Sequence, residues 1–351
     1  APDPYKVIIK LKEPFAPFLP TIGYQTTGPN IMPKHLYEGT DFKKNPYNLK
    51  PIGTGPFMFK EHVRGSHHEM VRNPNYFARG KENKPYVDKV VFKIIPDSSA
   101  RVMALKKGEV DFIAYTFLPL EDIPELRKYP NIVVDDRGGA SETIKFLLFN
   151  LRKPHLSNKL VRQAIAYAID KKQIFDLALA GEAKTAKSFI SSRNTWAYNT
   201  KVPDYAYDPK KANELLDKAG YPRGADGTRF EIRLSTIAGR GSDPVVLEVI
   251  KDALTKVGIR AEMLTTDNAT FLDAVFMRWD FDIVLQQAAT GPDPTAGVTR
   301  FLHSRNIKKT SLVNAMGYSN PEVDKLLDME YKQTDQKQRA EVWYRIQSIV
   351  L

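Results

Sequence analysis

Cysteine is absent from this chain of 351 residues. Its absence excludes disulfides, thiolate metal sites and cysteine nucleophiles, and it leaves the cellular compartment open. Long apolar runs are missing too: none approaches the roughly 18 residues that a membrane-spanning helix needs. The signatures of common chemistry are equally scarce. There is no G-x-S-x-G elbow, no H-E-x-x-H, no G-x-x-x-x-G-K-[ST] and no G-x-G-x-x-G. Nor is there an arginine-rich arm or a basic stripe interleaved with aromatics.

The apolar share of 42% and the charged share of 26% are those of a globular protein. The length exceeds one ordinary core and points to two or three domains. The net charge of +11 comes from 52 basic and 41 acidic residues spread along the whole chain. Its densest basic runs, Lys106–Lys107 and Lys171–Lys172, are short pairs. We read a basic, solvated surface and no nucleic-acid partner.

The histidines are His35, His62, His67, His68, His155 and His303. Only His67 and His68 are adjacent, and neighbours on a strand point to opposite faces, so they do not share a metal. No metal site and no cofactor is expected. The paired acids Glu121-Asp122 and Asp135-Asp136 read as capping or solvated groups rather than an acid–base couple.

Residues 51–77 are the most distinctive stretch. Pro51, Gly53, Gly55 and Pro56 form a tight turn before an alternating strand. A hairpin tip at Arg64–Gly65–Ser66, a returning strand and an Arg72–Asn73–Pro74–Asn75–Tyr76–Phe77 corner follow. Strands are also expected over Tyr5–Leu11, 88–96, 109–113, 131–134, 143–151, 259–264 and 281–286. Asp97 caps a helix that ends at Gly108, Pro119 to Tyr129 reads as another short helix, and Ser157 and Asp170 cap two more. Three helices begin at Asp208-Pro209, Asp243-Pro244 and Asn320-Pro321, with proline at their first position. A last helix, capped by Thr334 or Asp335, carries Val342, Trp343, Ile346 and Ile349.

Several of these segments resemble, in order, the extracytoplasmic solute-binding proteins of family 5, the peptide, opine and nickel type that serve ABC importers. The resemblance rests on GTGPF…RNPxYF, on the P-D…G-E-V-D unit near 96–111 and on Phe149 to Ile174. It rests also on Y-D-P…A-G-Y-P and L-x-x-V-G-I. It implies an α/β fold of the two-lobed periplasmic binding protein type (class II) with an extra subdomain. Residues 1–52 would end that subdomain, 53–147 would form part of the first lobe, and 148–351 the second. The run from Ala1-Pro2-Asp3-Pro4 into an apolar strand and the helix ending at Leu351 suggest an internal portion of a longer protein, incomplete at both ends.

The resemblance implies a monomeric, periplasmic, non-enzymatic protein. It would capture a small solute, an oligopeptide or a related compound, in an interlobe cleft and hand it to a membrane permease. The alternatives are a nickel, haem, opine or sugar ligand in the same fold, or a cleft hydrolase. The candidate site lies at the end of the 281–286 strand, in Gln286 and the loop Gln287–Pro294. Peptide-binding relatives read W-x-x-D-x-x-D/E-P there, and the first aspartate takes the ligand's amino group. Here Asp293-Pro294 match the second half, while Thr290 stands at the amine position and Gln287 at the tryptophan. A hydroxyl hydrogen-bonds an ammonium without neutralising it. Trp196, Phe146 and Arg300 complete the candidate set.

Overall fold

The computed structural model describes Asp3 and residues 5–23, 29–77, 85–135 and 143–351. Ala1, Pro2, Pro4 and Asp136, named above, lie outside the described residues. The chain divides into two compact units, Thr27–Ile113 and Ala1–Thr26 with Ala114–Leu351. The expected boundaries at 52 and 147 both fall inside these units.

In the smaller unit, three antiparallel strands form one sheet in sequence order: β1 (Phe57–Val63), β2 (His67–Arg72) and β3 (Lys89–Lys93). The tip between β1 and β2 turns on Gly65, whose φ of 74° is a left-handed value that glycine adopts without steric cost. Asn73 explains the family-like corner. Its Nδ2 donates to the Gly55 carbonyl at 2.9 Å and its backbone N–H to the Pro56 carbonyl at 2.8 Å. The GTGP turn and the RNP turn are thus one hydrogen-bonded unit. Asp97 caps the helix Ser98–Lys106 by accepting from the Ala100 N–H.

The larger unit is built on a mixed sheet in the order β4 (Thr143–Phe149), β7 (Ile283–Ala289), β5 (Phe230–Ile237) and β6 (Ile259–Thr266). β5 is parallel to both β6 and β7, while β4 runs antiparallel to β7. Alternation along the strands divides the apolar residues between two faces. Leu147, Leu234 and Leu285 pack with Val161, Ile165, Leu247 and Leu254 from the helices Lys159–Ala168 and Asp243–Lys256. Phe146, Leu148 and Val284 pack on the other side with Phe271, Phe276 and Phe281. A third cluster gathers Ile190, Val298, Leu302, Val323 and Leu327 around Trp343 and Ile346 of the last helix, Gln336–Val350.

Two of the proline-marked helices start where the sequence places them, at Pro209 and Pro321, and the third starts one residue early, at Asp243. Other details differ. The cap of Lys159–Ala168 is Asn158, which accepts from the Leu160 N–H; Ser157 closes the preceding helical turn instead. No strand forms at 5–11, 109–113 or 131–134. Val7, Phe112 and Val133 are 81, 80 and 89% exposed. A strand needs a neighbour for its backbone hydrogen bonds, and among the described residues these segments have only an isolated bridge from Lys6 to Asp3.

Trp343 is fully buried, and its indole N–H has no hydrogen-bond partner. Its stabilisation is therefore apolar contact. Trp343→Ala should cost about 3–5 kcal/mol, and Trp343→Phe, which keeps most of the ring and removes an unsatisfied donor, distinctly less. Urea unfolding midpoints of the two variants give the comparison.

Candidate functional site

The chain passes from β5 to β6 on one side of β5, then crosses to β7 on the other. The crevice at the carboxyl ends of β5 and β7 is therefore a topological switch point, the place where ligands settle in open α/β sheets. Strand order cannot be read from the local sequence pattern. It brings together the loop after β5, which carries Arg240, and the end of β7, which carries Gln286, Gln287 and then Thr290.

β7 runs to Ala289, three residues beyond the expected end, so Gln286 and Gln287 are strand residues and the loop starts at Thr290. Their side chains take opposite faces. Gln286 pairs across with Phe146 and is 2% exposed; its Oε1 lies 3.4 Å from an Arg240 guanidinium nitrogen. Burial lowers the Arg240 pKa from its ordinary value, with Asp243 opposing. Gln287 lies opposite Lys145. The Lys145 ammonium meets the buried Asp243 carboxylate, which also accepts from Thr236 Oγ1 at 3.3 Å. Asp243, read from the sequence as a helix cap, is the first residue of its helix, and its side chain neutralises a strand lysine instead.

Thr290 is buried, at 4% exposure. Its Oγ1 accepts from the Ser191 N–H at 3.2 Å and from Asn194 Nδ2 at 3.4 Å. Two donors therefore already converge on the position where peptide-binding relatives were expected to carry an aspartate. Gly297 holds the same residue from behind: a Cβ there would stand 2.2 Å from the Thr290 carbonyl oxygen.

Asp293 does not face a ligand. Its two carboxylate oxygens accept from Arg339 Nη1 and Nη2, both at 2.9 Å, and one also caps the short helix Pro294–Gly297 through the Thr295 N–H. Arg339 Nε donates to Glu330 at 2.7 Å, and Thr295 Oγ1 donates to the other Glu330 oxygen at 2.6 Å. All three charged residues are at least nine-tenths buried. Trp196 lies against this network, with the Arg339 guanidinium 4.8 Å from its ring centroid. Arg300 Nε donates to the Gly297 carbonyl at 3.1 Å, and its guanidinium covers Phe301 at 4.7 Å. Phe301 in turn meets Phe146 edge-on at 5.9 Å.

The structure thus links Thr290, Gln286, Phe146, Trp196 and Arg300 through shared neighbours, and it leaves Gln287 on the Lys145 face. Sequence reasoning missed Arg240, Asn194 and Arg339. An arginine at the helix-opening G-R-G-S-D-P turn was a visible signal for the first. The other two become visible only through long-range contacts.

His303, the histidine nearest this loop in sequence, is buried. Its Nδ1 lies 3.2 Å from Asp324 and its Nε2 3.3 Å from Asp328. Both ring nitrogens are engaged, Nε2 by the Asp328 carboxylate and Nδ1 by the Arg305 backbone N–H, which donates to it at 3.2 Å.

A family profile described as bacterial extracellular solute-binding proteins, family 5 (middle) matches residues 1–309. The oligopeptide-binding protein AppA of Bacillus subtilis is 30% identical over 97% of this chain and 62% of its own length. The periplasmic binding protein DppA of Helicobacter pylori, solved with the peptide STSA, is 29% identical with a TM-score of 0.81 over 97% of this chain and 63% of that one. The A. tumefaciens R10 protein AgaA, solved with agropinic acid, is 26% identical with a TM-score of 0.71. That match covers 88% of this chain and 60% of AgaA's. The chain therefore spans about three fifths of the length of these relatives. The expected α/β fold of the periplasmic binding protein type is the one it has.

Burial raises the Glu330 carboxyl above the ordinary range, with Thr295 and Arg339 pulling the other way. Because the folded state holds that proton more tightly, the stability from this group is full below the ordinary carboxylate pKa. It declines as pH rises through the raised value. Arg339→Met removes the opposing cation and strands two buried carboxylates. It should cost about 3–5 kcal/mol near pH 8 and less near pH 5, as read from urea unfolding at each pH.

Proposed function

The chain belongs to the bacterial extracellular solute-binding proteins of family 5, and from that footing we propose that it is the substrate-binding component of an ABC importer. It captures a small organic solute, an oligopeptide or a related compound, outside the cytoplasmic membrane and presents it to a membrane permease. In this reading the protein is periplasmic and catalyses nothing. The division at residues 52 and 147 belongs to the same reading, with β4 as the strand that carries the chain from one lobe into the other.

One observation carries the proposal. An amide, a hydroxyl and a half-buried guanidinium, from Gln286, Thr290 and Arg240, gather near the carboxyl ends of β5 and β7, with Phe146 as the strand partner of Gln286. Convergent polar groups beside aromatic faces suit reversible capture, in which hydrogen bonds orient the solute and apolar contact adds affinity. A nucleophile would need a base within hydrogen-bond reach. Thr290, the crevice's hydroxyl, is instead an acceptor for a backbone N–H and an amide. A ligand that favours one conformation shifts the population toward it by its differential affinity, and a permease that reads this conformation receives loaded protein.

The AgaA likeness supports an opine-type solute as the second reading, since that protein was solved with agropinic acid. The committed His303 nitrogens argue against a metal held at this loop.

Native mass spectrometry of the protein as purified, then of the material released on denaturation, tests the assignment. A non-covalent small organic adduct is the expected result. Turnover of a peptide or ester by the protein would refute it.

Thr290→Asp supplies the charge that the hydroxyl lacks, and the Ser191 N–H and Asn194 amide are already placed to hold the new carboxylate. A charge-assisted hydrogen bond of about 1.5–3 kcal/mol should raise affinity for peptides with a free N-terminal amine roughly ten- to hundredfold over their N-acetylated forms. Titration calorimetry in which the variant treats both forms as the parent does would count against this placement of the amine position.

A further inference from the structure

The β1–β2 hairpin carries a group of metal-type donors that solute capture does not use. Phe59 pairs with Met70 and Glu61 with Glu69, so Lys60 is an extra residue, a β-bulge. The bulge resets the alternation of β1. Without it, Glu61 would share the face of Phe59 and Met70. With it, Glu61 stands directly across from Glu69 and on the same face as His67, two residues before Glu69 on β2. The donor atoms of Glu61, His67 and Glu69 all lie within 4.8 Å of one another.

The three side chains differ in ways that suit a site. Glu69 is nine-tenths buried, and Glu61 is exposed at the outer side. The His67 ring is oriented by its neighbour: Nδ1 lies 2.9 Å from Ser66 Oγ. Its Nε2 faces Glu61 Oε1 at 3.6 Å, beyond hydrogen-bond length. With the proton on Nδ1 shared with Ser66, the Nε2 lone pair points at the carboxylates, the arrangement that metal-ligating histidines use.

We propose that Glu61, His67 and Glu69 form a binding site for a divalent transition-metal cation of the zinc type. Two carboxylate oxygens and one imidazole nitrogen are a borderline-hard donor set suited to Zn²⁺, and three protein ligands leave a position for water. Lys60 Nζ at 2.8 Å and Lys89 Nζ at 3.8 Å balance the Glu69 charge without metal. Both lysine side chains are more than half exposed, at 53 and 55%, so their ammonium groups can swing into water when a cation replaces them. The site is independent of the solute-binding reading. It is also distinct from the other face of the hairpin, where His62 stacks on His68 with centroids 4.2 Å apart.

Titration calorimetry of the tag-free full chain with zinc chloride tests the proposal, with circular dichroism confirming that each variant folds. One zinc ion per chain is expected, with affinity reduced at least about tenfold in His67→Asn and in Glu61→Gln. The second residue is exposed and its replacement leaves the sheet's packing intact. The double variant His62→Ala/His68→Ala should bind as the parent does. Three results would each overturn the assignment: no saturable binding at micromolar zinc, binding indifferent to the Glu61 and His67 variants, or binding lost only in the His62/His68 variant.

Discussion

The loop that follows β7 is held by one buried ion network. Arg339 reaches from the last helix to hold Asp293 with two parallel hydrogen bonds and Glu330 with its remaining donors. The same guanidinium lies over Trp196. A single charge thereby joins the loop after β7, the end of the helix Pro321–Glu330 and the segment carrying Ser191 and Asn194. Burying three charges is costly, and a pair of this kind is weak evidence of net stability. Its effect is positional. With both Asp293 oxygens engaged, the loop is tied to the last helix, and Thr290 lies buried just past the end of β7.

Seen from that constraint, the surrounding features have connected reasons. Gly297 is small because the Thr290 backbone passes against it, closer than any Cβ permits. Thr290 is buried because a backbone N–H and an amide come to meet it. Lys145 and Asp243 pair on the Gln287 face, while Gln286, on the other face, approaches Arg240. The chemistry is that of orientation and solvation. In the proposed function these groups orient a solute through hydrogen bonds.

Much of the fold was legible in the sequence because local signals and tertiary structure agree. Asp208, Asn320 and Asp335 cap helices through the N–H groups that their positions imply. The GTGP and RNP turns, seen as separate punctuation, close on each other through Asn73. The failures have a common cause in long-range partners. Residues 5–11 and 131–134 have strand composition, yet composition does not supply the neighbouring strand. Gln287 looks like a loop residue until β4 is found beside it. Asp293 could be matched to a motif but not given a partner, because its cation lies 46 residues away in the chain. Five of the six candidates share neighbours in the fold, while Arg240, Asn194 and Arg339 came into view only through its topology.

The central claim is that the carboxyl ends of β5 and β7 form the solute-binding face. Hydrogen–deuterium exchange of the protein with and without its co-purified solute addresses this most directly. The account predicts slower exchange on binding in segments 188–196, 238–242 and 286–297. Protection confined to other segments, with these three unchanged by a saturating ligand, would contradict it.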